Sequence, residues 1–319
     1  MRGKKHIVIL SGGPSSEHEV SLHSGEMVAR NLNPQKYRIQ KVIIRKNGLW
    51  QFPGFRKAIS LPAALTHLAK RKPDCVFVAL HGKFGEDGTI QALLDSAHIR
   101  YTGSDIIASA LAMDKVVSNI FFEYAGLLVP RYQILEKKNL LRRITRPVVV
   151  KPARGGSSVG VSIVKKKFEL AAALRRAFKE DSRVMAQDYI AGREITCGVI
   201  EKNGKPFALV PTEIVPKTSN FFDYTAKYTK GASEEITPAL ISKSSLKEIQ
   251  RLAVQAHNIL GCRGMSRSDF ILQNSRFYIL ETNTIPGLTA TSLLPQGAAA
   301  IGINFPKLLD YIVEAALKK

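Results

Sequence analysis

The segment RSDFILQNSRFYILETN, residues 267–283, holds two carboxylates and an amide at spacings that could serve a hard cation. Read as a hairpin, it puts Asp269 on one strand and Glu281 on the next, with Asn283 two residues beyond Glu281. Side chains at i and i+2 of a strand share a face, so three oxygen donors converge at the strand ends. Oxygen donors without His or Cys suit Mg²⁺ rather than zinc. Arg267 points the same way as Asp269. The same residues also suit an ordinary cross-strand salt bridge.

A second segment, KPARGGSSVG at 151–160, follows the apolar run VVV. Glycines after a strand let backbone N–H groups approach an anion, serines add donors, and Lys151 adds a point charge. These features suit a phosphate cradle. It is neither GxxxxGK[ST] nor GxGxxG, and a plain Gly-Ser turn has the same composition. In SSEHEVSLHSG, Glu17 stands at or just before a helix N-terminus, where the helix dipole favours a carboxylate. It reads either as a simple helix start or as an anchor for an ammonium group, with Ser24 and Gly25 structural. His81 of LHGKFGEDG ends a strand and enters a glycine loop, as a ligand contact or a packed loop residue. NFFDYTAKYTKG, a polar-aromatic stretch inside a domain, is a candidate lid or a surface loop.

These residues need a frame, and the chain of 319 residues supplies one. HIVIL, IQKVIIR and DCVFVALHG read as strands alternating with the helices VSLHSGEMVARNL, PAALTHLAKR and TIQALLDSA, with IRYTG a further short strand. Such alternation implies a parallel sheet, whose ligands gather at the carboxyl ends of its strands. Beyond Ser104 comes a helical stretch, DIIASALAMDKVVSNIFFEYAG, then a small α+β unit. Longer strands follow, with a hairpin turn at Asn203-Gly204. LKEIQRLAVQAHNILG is an amphipathic helix with Ile249, Ala253, Ala256 and Leu260 on one face.

The three Cys lie far apart, which argues against a disulfide framework or a zinc site and fits a reducing compartment. The apolar start is short and runs into Gly-Gly, unlike a secretory leader, and no apolar run is long enough for a membrane span. The formal charge of +21 favours anionic partners. Its lysines and arginines are spread along the chain without interleaved aromatics, as on a solvated basic surface.

Taken in order, these segments resemble the D-alanine–D-alanine ligases, a branch of the ATP-grasp family. The resemblance runs nearly end to end: VILSGGPSSEHEVSLHSG, HGKFGEDGT, YTGS, MDK, VVVKPARGGSSVG, REIT, FFDYTAKY, GCRGMSRSDF and ETNTIPGLTATSLLP. It implies an α/β protein of three-domain ATP-grasp architecture. An N-terminal Rossmann-like parallel-sheet domain would span 1–103, a central α+β subdomain 104–187, and a C-terminal subdomain 188–319 with the metal ligands and lid. It implies a cytoplasmic enzyme of peptidoglycan precursor synthesis, a homodimer, that joins two D-alanines as ATP becomes ADP and phosphate.

By the resemblance, Lys115 and Lys151 contact ATP phosphates and the loop at Ser157 and Ser158 closes over them. Gln187 meets the adenine and Glu194 the ribose. Asp269, Glu281 and Asn283 carry two Mg²⁺ or Mn²⁺. Glu17 binds the first ammonium in a triad with Ser157 and Tyr228, and His81 lies close to that substrate. Lys227, Ser292 and the N–H of Leu293 hold the second carboxylate. Arg267 and the N–H of Gly287 stabilise the oxyanion. The segment AKY favours an amine acceptor, with a D-lactate-type hydroxyl acceptor, or another ATP-grasp carboxylate–amine ligation, the alternative inside the family. Two positions depart from the family pattern: Gly155 and Gln187 stand where Glu is common. A basic RNA-binding relative without activity is the alternative of another class, supported by the charge alone; the ligase reading involves neither a specific nucleic acid nor a membrane.

Overall fold

The computed structural model describes residues 3–137, 144–217, 233–289 and 291–318. The first sheet forms around β1 (Lys5–Gly12), whose apolar run is buried almost throughout. A strand covered on both faces needs such an uninterrupted run. β2 (Tyr37–Ile44) and β4 (Cys75–Val78) flank β1 in parallel, and β3 (Trp50–Gln51) adds an antiparallel edge, giving the order β3-β2-β1-β4. The short strand expected at IRYTG reduces to one parallel bridge between Tyr101 and Val76. Helices α1 (His18–Asn31), α2 (Leu61–Arg71) and α3 (Thr89–Ser96) connect these strands.

The helical stretch after Ser104 is two helices, α4 (Ile106–Met113) and α5 (Lys115–Tyr124). Asp114 breaks it: its backbone is extended, and its carboxylate accepts from the N–H groups of Val116 and Val117. An N-cap carboxylate satisfies donors that a continuous helix would leave to the preceding turn. A second sheet, β5 (Tyr132–Leu135), β6 (Val148–Pro152), β7 (Ser162–Val164) and β8 (Val184–Asp188), is antiparallel in the order β5-β8-β6-β7 and packs on α6 (Leu170–Glu180).

The third sheet contains β9 (Arg193–Lys202), β11 (Thr212–Pro216), β12 (Ser233–Ile236), β13 (Met265–Gln273) and β14 (Arg276–Asn283) in the order β12-β11-β9-β13-β14, with β10 (Lys205–Ala208) also on β9. The β9–β10 hairpin turns at Asn203-Gly204 as the sequence implies. Helix α7 (Lys243–Ile259) buries Ile249, Ala253 and Ala256 on this sheet, in one cluster with Phe122 of α5. The sequence gives no warning of α8 (Leu293–Ala299), and α9 (Phe305–Leu317) follows it. Leu308, Ile312 and Val313 of α9 share the core of the first sheet. Among the described residues no helix is long and apolar enough to cross a membrane.

Candidate active site

Two cavities meet on the cleft face of the third sheet. One, of about 290 Å³, lies between the second and third sheets. Lys151 projects into it from β6 on the same face as Val149, and the register pairs Val149 with Gln187, which also lines it. Glu194 enters from β9, and Lys115, Ser158, Asp269 and Glu281 complete its polar wall. The other cavity, of about 490 Å³, is bounded by Glu17, His81, Ser157, Arg267, Asn283, Gly287, Ser292 and Leu293. Gly156 and Glu281 line both. Every candidate residue thus lies on one of these cavities, except Lys227 and Tyr228, which with the lid segment lie outside the described residues.

The hairpin that carries the carboxylates is not regular. Asp269 pairs with Glu281 and Arg267 with Asn283, but Phe270 pairs with Ile279, so Leu280 is bulged. Facing residues of an antiparallel pair share a side. Without the bulge, Glu281 would follow Phe277 and Ile279 into the core; the extra residue resets the phase and turns Glu281 to the cleft. Asp269 accepts from Nε and Nη2 of Arg267 at 2.9 and 2.8 Å, and from Thr196 Oγ1 at 2.6 Å. Asn283 Nδ2 lies 3.4 Å from Asp269 Oδ2. Burial works against the charge of Arg267, but the Asp269 carboxylate outweighs it and holds its pKa above the ordinary value.

Lys115 ties this hairpin to the phosphate-type loop. Its backbone N–H donates to Ala153 O at 2.9 Å, and its ammonium reaches the carbonyl of Gly155 at 2.6 Å and Glu281 Oε2 at 3.2 Å. Lys151 is 7% exposed and makes no ion pair among the described residues. Burial, with the Lys115 ammonium nearby, pushes its amine down to about 8 against the pull of Glu281. An amine so placed gains from an incoming polyanion. The donor set of Asp269, Glu281 and Asn283 fits a hard divalent cation: two carboxylates and an amide at the seam between the cavities, without His or Cys. Their charge is balanced by Arg267 and Lys115, and the Asn283 amide must turn over to offer its oxygen.

Glu17 holds the N-cap position of α1, but its side chain caps no N–H there. The carboxylate instead accepts the hydroxyl of Ser157. It is wedged between two glycines: a Cβ on Gly82 would come within 2.4 Å of Glu17 Oε2, and one on Gly156 within 3.1 Å. Ser157 and Ser158 both have left-handed φ, of 51° and 57°. Few side-chain-bearing residues adopt that conformation, and it costs energy that the surroundings must offset.

Both ring nitrogens of His81 are engaged. Nδ1 lies 3.1 Å from the carbonyl of Ile285 and Nε2 lies 2.8 Å from Ser24 Oγ. A carbonyl only accepts, so Nδ1 carries the proton and Nε2 accepts from Ser24. Burial lowers the His81 pKa, in keeping with a neutral ring. His81 therefore faces the cavity with its ring already bonded on both sides.

Ser292 precedes α8, and its hydroxyl accepts from Thr289 N–H at 3.0 Å. Leu293 opens that helix, so its N–H has no intrahelical acceptor.

Sequence reasoning missed Glu86 and Thr196. Glu86 lies in the quoted HGKFGEDG loop and lines the larger cavity. Burial and the Glu17 carboxylate push it up to about 8, against hydrogen bonds from Gly82 and Ile285 and the charge of Arg267. Its signal was a carboxylate in the same glycine loop as His81. Thr196 becomes visible only once the register places it opposite Asp269.

A nucleotide-sized cleft between two antiparallel sheets, joined at a carboxylate to a second polar cavity, is the arrangement of an ATP-grasp ligase. The family model described as D-ala D-ala ligase C-terminus matches residues 121–314, and the one described as D-ala D-ala ligase N-terminus matches 6–69 and 56–104. The chain belongs to the D-ala D-ala ligase family. It is 43% identical to the D-alanine--D-alanine ligase of Syntrophobacter fumaroxidans, covering 99% of this chain and 98% of that one. The crystal structure of the D-alanine--D-alanine ligase from Bacillus anthracis complexed with ATP superposes with a TM-score of 0.81 at 33% identity, over 98% of each chain. That of the VanG D-Ala:D-Ser ligase from Enterococcus faecalis does so with a TM-score of 0.83 at 33% identity, over 98% of this chain and all of the other.

Proposed function

We infer that the protein is a D-alanine–D-alanine ligase that uses ATP and Mg²⁺ to make the dipeptide for peptidoglycan precursors. The observation that carries this reading is the shared wall of the two cavities. A phosphoryl donor in the first lies against an acceptor in the second across Glu281 and Gly156.

In this reading Gln187 and Glu194 hold the nucleoside, and Lys115, Lys151 and Ser158 hold the phosphates. Asp269, Glu281 and Asn283 hold the divalent ions, which when bound neutralise charge on the phosphates. Glu17, with Ser157, binds the ammonium of the first D-alanine. That orients its carboxylate to attack the γ-phosphorus, and the two lysines offset the repulsion between the anions. The bond from the γ-phosphorus to its bridging oxygen breaks, ADP leaves, and the product is an acylphosphate, whose phosphate leaves readily. The deprotonated amine of the second D-alanine then attacks the acyl carbon. Arg267 and the N–H of Gly287 stabilise the oxyanion, a role for which preorganised donors are effective. Ser292, the N–H of Leu293 and Lys227 take the second carboxylate. Tyr228 completes a triad with Glu17 and Ser157, and closing the lid excludes water from the acylphosphate.

The proposal extends to setting and assembly: a cytoplasmic homodimer, built of units 1–103, 104–187 and 188–319, with neither nucleic acid nor membrane as partner. ATP as co-substrate supports the cytoplasm. The decisive assay mixes the protein with ATP, Mg²⁺ and D-alanine and follows phosphate and dipeptide. Matched release of the two is expected. If D-alanine leaves ATP turnover unchanged while D-lactate or another amino acid raises it, the acceptor assignment is wrong and the ATP-grasp chemistry stands.

A further inference from the structure

Ile285 is held by side chains from the distant 81–86 loop at both of its backbone polar groups. Glu86 Oε1 accepts its N–H at 3.2 Å, and the Nδ1–H of His81 donates to its carbonyl at 3.1 Å. The other oxygen of Glu86 accepts the N–H of Gly82 at 2.7 Å, so one carboxylate spans two loops. The His81 end is fixed in turn: Ser24 donates to Nε2, and Ser15 Oγ donates to the His81 carbonyl at 2.7 Å. The Ile285 side chain is buried in the core shared by the first sheet and α9.

Pro286 and Gly287 come next in the chain. A proline fixes its own φ and restricts the residue before it, so little backbone freedom separates Ile285 from the Gly287 N–H. Gly287 is confined on its far side as well, since a Cβ there would lie 2.8 Å from Ser292 Oγ.

We propose that Glu86 is a positioning residue for acyl transfer: acting with His81, it grips Ile285 and thereby sets the Gly287 N–H that receives the oxyanion. The inference rests on the ligase reading above. It assigns Glu86 to the second chemical step. If the donor is displaced, the acylphosphate still forms but aminolysis slows. Water then competes at phosphorus, where no acyl oxyanion forms: its oxygen attacks the phosphorus, the bond from phosphorus to the acyl oxygen breaks, and D-alanine and phosphate are released.

The test measures phosphate and dipeptide together for the full chain with ATP, Mg²⁺ and D-alanine. Glu86→Gln cannot accept both N–H groups, because its amide nitrogen only donates. Dipeptide formation is expected to fall about 10- to 100-fold, the scale of a misplaced catalytic group. Phosphate release should fall less, so phosphate per dipeptide rises above the wild-type value, with KM for ATP unchanged. Glu86→Asp keeps the carboxyl group but shortens its reach, and should uncouple in the same way; wild-type behaviour there would show that the reach to Ile285 does not matter and overturn the proposal. So would an equal fall in phosphate and dipeptide in folded Glu86→Gln. Should Glu86→Gln not fold, the ratio in Glu86→Asp decides. A wild-type protein that makes no dipeptide would instead refute the ligase reading itself.

Discussion

Ser157, in the turn after β6, donates its hydroxyl to Glu17, the residue that opens α1. The bond joins the phosphate-type turn to the first sheet's unit across 140 positions of sequence. It also engages the carboxylate proposed above to receive an amino-acid ammonium. Ser157→Ala removes a hydrogen bond to a charged group, a class that contributes about 1.5–3 kcal/mol. The KM for the first D-alanine should rise roughly tenfold or more. Steady-state rates at varied D-alanine, with ATP saturating, read this directly; an unchanged KM would remove the tether from the mechanism.

Lys151 gives the site a pH dependence. Its pKa is down to about 8, so the amine is charged below that value and neutral above it. A triphosphate favours the charged form. ATP affinity should therefore be level below about pH 8 and weaken as pH rises past it. Binding near that pH should take up protons, which calorimetry in buffers of different ionisation enthalpy detects. Lys151→Gln should bind ATP weakly at every pH, without the inflection.

The two carboxylates of the hairpin should separate in stability. Asp269→Ala leaves Arg267 buried without its partner, and breaking such a pair costs about 3–5 kcal/mol. Glu281→Ala should cost less, because Lys115 retains the Gly155 carbonyl. Both should abolish Mg²⁺-dependent phosphate release. Urea melts and Mg²⁺ titrations of the two variants check each half of the statement.

Gly82→Ala tests the crowding around Glu17. The new methyl would meet Glu17 Oε2 at 2.4 Å, on a backbone whose φ is +70°. Dipeptide synthesis should fall about tenfold or more as the carboxylate is displaced. The KM for ATP should hold, since the clash lies in the larger cavity.

Much of this site was legible because its residues cluster in short segments. Lys151 and the Gly-Ser turn follow an apolar strand, and Glu17 stands at a helix start. The hairpin of Asp269 and Glu281 also fell where expected, but not for a sufficient reason. Simple alternation from Ile279 would bury Glu281; the bulge at Leu280 rescues the pairing, and nothing in the local composition announces it. Asp114 was hidden for a related reason. Helix-forming residues on both sides conceal a break that its carboxylate creates by capping α5. The bonds of His81 and Glu86 to Ile285 join residues about two hundred positions apart, and only the fold brings them together.

The sharing of one core by α9 and the first sheet bears on how the chain is made. Strands from residues 5–78 leave the ribosome long before the helix at 305–317 that seals their apolar side. During synthesis that greasy surface waits uncovered, so the amino-terminal unit expressed by itself should be sticky, and supplying the remainder as a separate polypeptide should restore its solubility.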